Sequence, residues 1–182
     1  MTRFVYFAYG SNMLIQRLAM RCPSAEVVGI GRAEGYRVEY CLGSPDGSSK
    51  AGLRRCEGAT AWGVLFSLAL GERSVLDGFE GTPVYYRRAE MELARADGTP
   101  VVAVTYLPQP GHIVVGRHPF AWYRALCVGG ARQHELPAEA VSRLAETGLC
   151  PMPAESSPAW DGRAHALRAL KAAGLSMPEE GL

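Results

Sequence analysis

The chain has 182 residues, 48% of them apolar, and its 19 Lys and Arg against 18 Asp and Glu leave a formal net charge of +1. Such a length suits one domain with its own core, expected to span residues 1–182, and the near-neutral balance gives no electrostatic case for nucleic acid or an acidic membrane as partner. Cys22, Cys41, Cys56, Cys127 and Cys150 are scattered, odd in number and never in a Cys-x-x-Cys arrangement, which points to reduced thiols and a cytoplasmic location rather than a disulfide framework.

The chain opens with a short strand, Phe4-Val5-Tyr6-Phe7-Ala8-Tyr9, that breaks at Gly10-Ser11-Asn12 and reopens as a helix. No signal segment is expected before it, since the apolar run is about half the ~20 residues a spanning helix needs. Met13, Leu14, Leu18 and Ala19 recur with near-helical spacing, with Arg17 and Arg21 on a more polar side, until Cys22-Pro23-Ser24 ends the helix. Residues 26–32 and 36–42 read as a hairpin around Ala33-Glu34-Gly35. Residues 43–58, rich in Gly, Ser, Pro, Lys and Arg, read as a long mobile loop that can lie over a pocket.

Residues 61–68 form an apolar central strand, in which Gly63 marks a bulge or a close backbone contact. A short helix over 71–79 stops at Glu80-Gly81-Thr82-Pro83, so Glu80 sits at a rigid corner. A second hairpin follows, 84–94 and 101–107, turning at Ala96-Asp97-Gly98-Thr99. Helices are expected over 120–131, 138–147 and 159–173, with the last nine residues frayed. Hairpins with one early helix and several late ones suggest an α+β fold built on a mostly antiparallel, curved sheet or small barrel. Gly29, Gly31 and Gly35 miss the dinucleotide spacing by one residue and continue as strand.

A strand feeding a tight turn into a helix start leaves several backbone N–H groups aimed at one point, a cradle for a carboxylate or a developing oxyanion. Gly10 is free to take a positive φ there, and Ser11 and Asn12 are residue types that cap helices; the same three residues also serve as a plain connector. His112 and His118 have no acidic or thiol neighbour that would complete a metal set. Ser11 has no histidine in a pattern that would activate it, and Cys127 lies in an apolar helix, as core residues do.

Taken together, Tyr6 through Asn12, Pro23-Ser24-Ala25, Trp62-Gly63-Val64, Leu76-Asp77-Gly78-Phe79-Glu80-Gly81, Tyr123, Gly130-Ala131 and Leu136-Pro137 resemble the gamma-glutamylcyclotransferase family in their order and intervals. The likeness covers roughly residues 3–147 and leaves 148–182 as a C-terminal helical extension. It implies an α+β fold, a small mixed, mainly antiparallel β-barrel flanked by helices, with the substrate at one end. The implied reaction is closure of a γ-glutamyl group on its own α-amine, which yields 5-oxoproline and a free amine. Glu80 corresponds to the family's acid/base, Tyr6, Phe7, Ala8, Tyr9, Gly10, Ser11 and Asn12 to its substrate loop, and Tyr123 and Tyr106 to pocket tyrosines.

Nucleophile and electrophile then belong to one molecule, so positioning is the larger task. One carboxylate within reach of both nitrogens can take the α-ammonium proton and return it to the leaving nitrogen. Phe79, Val84, Tyr85 and Tyr86 are expected to desolvate Glu80 and raise its pKa. The partner is a small γ-glutamyl compound, no cofactor is needed, and a homodimer stays open. Alternatives are a non-catalytic binding module of the same fold and a thiol or serine amidase. Glu80 otherwise reads as an exposed helix-end carboxylate, the tyrosines as buried core aromatics, and Arg54 and Arg55 as surface charges rather than contacts to an acidic leaving group.

Overall fold

Backbone pairing closes the sheet into a barrel in the order β1-β3-β2-β4-β5, from strands β1 (Arg3–Ala8), β2 (Glu26–Gly43), β3 (Ser49–Ala69), β4 (Tyr86–Arg95) and β5 (Pro100–Pro108). The structure is a computed structural model and describes residues 2–153 and 159–177. Every named pairing is antiparallel except the closure of β1 on β5, where Tyr6 faces Val104 in parallel. This is the mixed, helix-flanked α+β barrel expected.

The first hairpin is not where the glycines suggest. β2 runs unbroken through Gly29 (φ 129°) and Gly35 (φ 74°), with register shifts against β3 at Val27/Gly29 and Glu34/Tyr36. These glycines take the left-handed conformation that admits an extra residue as a bulge, so the strand bends and continues instead of turning back. The reversal comes at residues 44–48, where Ser44 N–H donates to the Ser48 carbonyl at 3.0 Å and Gly47 has φ 88°.

Most of the expected mobile loop is therefore strand. Residues 49–55 pair with β2, from Gly43↔Ser49 to Tyr36↔Arg55, and Ser49, Ala51 and Leu53 are buried. A long partner strand satisfies the backbone of residues 49–55 whatever their composition. The central segment behaves as read: a Cβ on Gly63 would lie 2.3 Å from the Ala8 carbonyl oxygen and 2.7 Å from the Phe7 ring.

Residues 11–13 form a single 3-10 turn, Leu14 is extended (φ −71°, ψ 108°), and helix α1 covers only Ile15–Ala19. Helix α2 is Arg73–Phe79 with Glu80 as its C-cap. Helices α3 (Ala121–Gln133), α4 (Ala138–Ala145) and α5 (Ala159–Ala172) follow. α3 backs the opening turn closely: a Cβ on Gly130 would sit 2.4 Å from Leu14 N. Ser24 ties the end of the α1 region to the approach to α2, donating its hydroxyl to Glu72 and accepting the Ala69 N–H at 2.8 Å. Among the described residues no helix is long and apolar enough to cross a membrane. The fraying expected over the last nine residues falls largely on 178–182, outside the described residues.

Candidate active site

Segments far apart in sequence meet around a cleft of about 290 Å³, mouth included. The end of β1 and the following turn supply Tyr6, Tyr9, Gly10, Ser11 and Asn12; the corner after α2 supplies Glu80; Ala51, Tyr86, Tyr106 and Tyr123 complete the wall. Phe7 and Ala8 do not line it. Alternation along the strand turns Phe7 away from the Tyr6 side: its ring is fully buried against Gly63 and the Phe7 carbonyl accepts the Thr105 hydroxyl at 3.0 Å, while Ala8 is buried where its own carbonyl passes close over Gly63.

Two local expectations for the turn are corrected. Gly10 has φ −123°, not a positive value; what matters is its missing Cβ, which would lie 3.0 Å from Ala51 Cβ and 3.5 Å from the Tyr123 hydroxyl. Nor do Ser11 and Asn12 cap a helix with their side chains. Ser11 Oγ accepts from Arg17 Nε at 3.1 Å, and the Asn12 carboxamide is occupied elsewhere.

Asn12 is the hub. Its Nδ2 donates to Glu80 Oε1 at 2.8 Å and to the Tyr6 hydroxyl at 3.1 Å, while its Oδ1 accepts from Arg21 Nη1 at 3.0 Å. A guanidinium can only donate, so Arg21 fixes which end of the amide is oxygen and thereby turns the NH₂ toward the carboxylate. Arg17 and Arg21, read from sequence as a polar face, instead brace the turn from behind. A short-range pattern carries no sign of this, because both partners come from the turn rather than from the helix itself.

Glu80 is half-buried as a residue, and its carboxyl is the enclosed part. Burial pushes it above its ordinary 4.5, against Arg21, Arg17 and the Asn12 hydrogen bond, which favour the charged form. Its place at the α2 C-terminus acts in the same direction as burial. Among the described residues Oε2 has no protein hydrogen bond. Of the neighbours expected to desolvate it, Tyr86 lines the cleft together with the other tyrosines, whereas Phe79 and Val84 are 53% and 57% exposed.

Those tyrosines are tied to the frame and stay protonated, since burial raises each of their pKa values. Tyr9 donates to the Tyr106 carbonyl, Tyr106 to Asp77 Oδ1 at 2.8 Å, and Tyr86 to the Ala51 carbonyl at 2.5 Å; Ala51 N–H donates to the Tyr123 hydroxyl at 3.1 Å. Arg54 and Arg55 do not reach the cleft: Arg54 lies 3.6 Å from Glu39, and Arg55 stacks over Tyr36. Cys127 is fully buried with its thiol pushed up to about 12, chiefly by burial.

A closed, helix-flanked barrel whose cleft carries one enclosed carboxylate beside a strand-to-helix turn defines the class. The family model for gamma-glutamyl cyclotransferase, AIG2-like, matches residues 6–122, and the chain belongs to that enzyme family. Gamma-glutamylcyclotransferase from Bos taurus is 28% identical over 149 residues, covering 78% of this chain and 77% of the relative, and that from Homo sapiens is 27% identical over the same length. A solved gamma-glutamyl cyclotransferase shares the fold, with TM-score 0.77 and 23% identity over 88% of this chain and 97% of its own.

Proposed function

We propose that this chain is itself a gamma-glutamylcyclotransferase, closing the γ-glutamyl group of an amino acid or amine conjugate to 5-oxoproline, with Glu80 as acid/base. The observation that carries the reading is the 2.8 Å hydrogen bond from Asn12 to Glu80, which brings the acid and the turn to one cleft.

The glutamyl chain binds folded, so that its α-nitrogen approaches the γ-carbonyl carbon; holding that geometry is the main contribution of the walls. Glu80 Oε2 removes a proton from the α-ammonium, the freed amine attacks, and the C–N bond to the leaving group breaks as Glu80 returns that proton to the departing nitrogen; the second proton shed by the ring nitrogen passes over the same carboxylate to the released amine, which leaves as an ammonium. The N–H groups of Gly10, Ser11 and Asn12 precede the first bond of the turn, Met13 N–H to the Gly10 carbonyl at 3.0 Å, and so are not used within it. They serve the substrate carboxylate or the tetrahedral oxyanion; as oxyanion donors each is worth roughly 3–4 kcal/mol.

A panel of γ-glutamyl amino acids and γ-glutamyl amines tests the reaction class by product analysis. Release of 5-oxoproline with the free amine is the expected result, and release of free glutamate contradicts cyclisation. Binding of the panel without any turnover favours the binding-module alternative.

A further inference from the structure

On the far side of the opening turn, a second cavity of about 750 Å³, mouth included, lies between α1, the end of α2 and α5. Arg17, Arg21, His165 and Arg168 line it, with Met20 and Phe79. No carboxylate does, and among the described residues none of the three guanidiniums lies within salt-bridge distance of an acid. Like charges so placed repel one another across low-dielectric walls, and a cavity lined by one sign of charge concentrates counter-ions.

We propose that this cavity is a binding site for a small phosphate-type dianion, either free phosphate or a phosphomonoester. Guanidinium forks match phosphate oxygens bidentately, and donors remain after the internal bonds: Arg17 uses Nε on Ser11, and Arg21 uses Nη1 on Asn12. Arg168 donates Nη2 to His165 Nδ1 at 2.7 Å. That bond fixes the neutral imidazole tautomer with its proton on Nε2, a further donor. Met20 and Phe79, 52% and 53% exposed, form an apolar edge that suits the organic part of an ester; the Arg21 guanidinium lies over the Phe79 ring at 4.7 Å. The site goes beyond the cyclisation reading, and it is joined to the cleft through Arg17 to Ser11 and Arg21 to Asn12.

Isothermal titration with inorganic phosphate and, separately, phenyl phosphate tests it at constant ionic strength set by chloride. The wild-type chain is expected to show saturable one-to-one binding; phenyl phosphate binding more tightly assigns the site to phosphomonoesters, and equal affinities assign it to free phosphate. Arg168→Glu, at an exposed position on α5, is expected to weaken binding at least tenfold with an unchanged melting curve, and Arg168→Gln several-fold should charge reversal disturb folding. Absence of saturable binding, or binding indifferent to both substitutions, overturns the proposal. Turnover is not read, so the outcome is separable from the cyclotransferase reaction.

Discussion

Asn12 Nδ2 holds Glu80 Oε1 at 2.8 Å across 68 positions of sequence, and it does so with an amide whose orientation Arg21 dictates. One side chain thus fixes the corner carboxylate relative to the turn. Asn12→Ala removes that link together with the Tyr6 contact and leaves Arg21 without its acceptor. Hydrogen bonds to charged groups are worth about 1.5–3 kcal/mol, so kcat for 5-oxoproline release is expected to fall roughly 10- to 100-fold. Asn12→Asp puts a second carboxylate beside Glu80 and is expected to be no better. Steady-state kinetics on one γ-glutamyl substrate checks both.

The raised pKa of Glu80 has a sign that can be read twice. As a base it must be charged, so kcat/KM is expected to fall with decreasing pH through an apparent pKa above 4.5. As a folded-state group it holds its proton more tightly than in the unfolded chain, so its stabilisation is present below the unfolded value and is lost as pH rises through the folded one. Glu80→Gln is therefore expected to raise the melting temperature at neutral pH. The gain vanishes below about pH 4. Thermal melts across pH check this, and a variant less stable than wild type at neutral pH contradicts the burial argument.

Gly63 and Gly10 separate packing from chemistry. A Cβ at Gly63 collides with backbone at 2.3 Å, whereas one at Gly10 only crowds Ala51 at 3.0 Å inside the cleft. Overpacking costs typically about 1–3 kcal/mol and more where backbone must move. Gly63→Ala is expected to lose that much stability or more, while Gly10→Ala folds nearly normally and raises KM several-fold. Chemical denaturation together with kinetics distinguishes the two.

Much of this was readable in the sequence where the signal is local. The Phe4–Ala8 strand, the Gly-Pro corner holding Glu80 and the β4–β5 hairpin all follow from alternation and turn residues within a few positions. What escaped depends on partners remote in sequence. Gly29 and Gly35 bear the same composition whether they turn a chain or bulge a strand, and only the pairing with β3 decides. The polar segment 49–55 became strand for the same reason. At the site, Glu80, the turn and Tyr86 are legible in the sequence, but the Asn12 link and the bracing by Arg17 and Arg21 need three dimensions; Phe7 enters only through motif contiguity, which ignores strand alternation.

Cys127 gives a further check on the chemistry. Its thiol, fully buried and pushed up to about 12, has negligible thiolate at neutral pH. Iodoacetamide is expected to label the partly exposed Cys56 and Cys150 first, with activity retained. Inactivation in step with Cys127 labelling, followed by mass spectrometry, would favour a thiol amidase instead.

The central claim concerns the oxygen of Glu80 left free in the cleft, and Glu80→Gln tests it directly because the substitution preserves shape while removing the base. With substrate affinity and single-turnover rate measured on the same preparation, the account expects a dissociation constant within a few-fold of wild type and 5-oxoproline formation slowed by about 10²-fold or more. A Glu80→Gln variant that still cyclises substrate at a near-normal rate contradicts it.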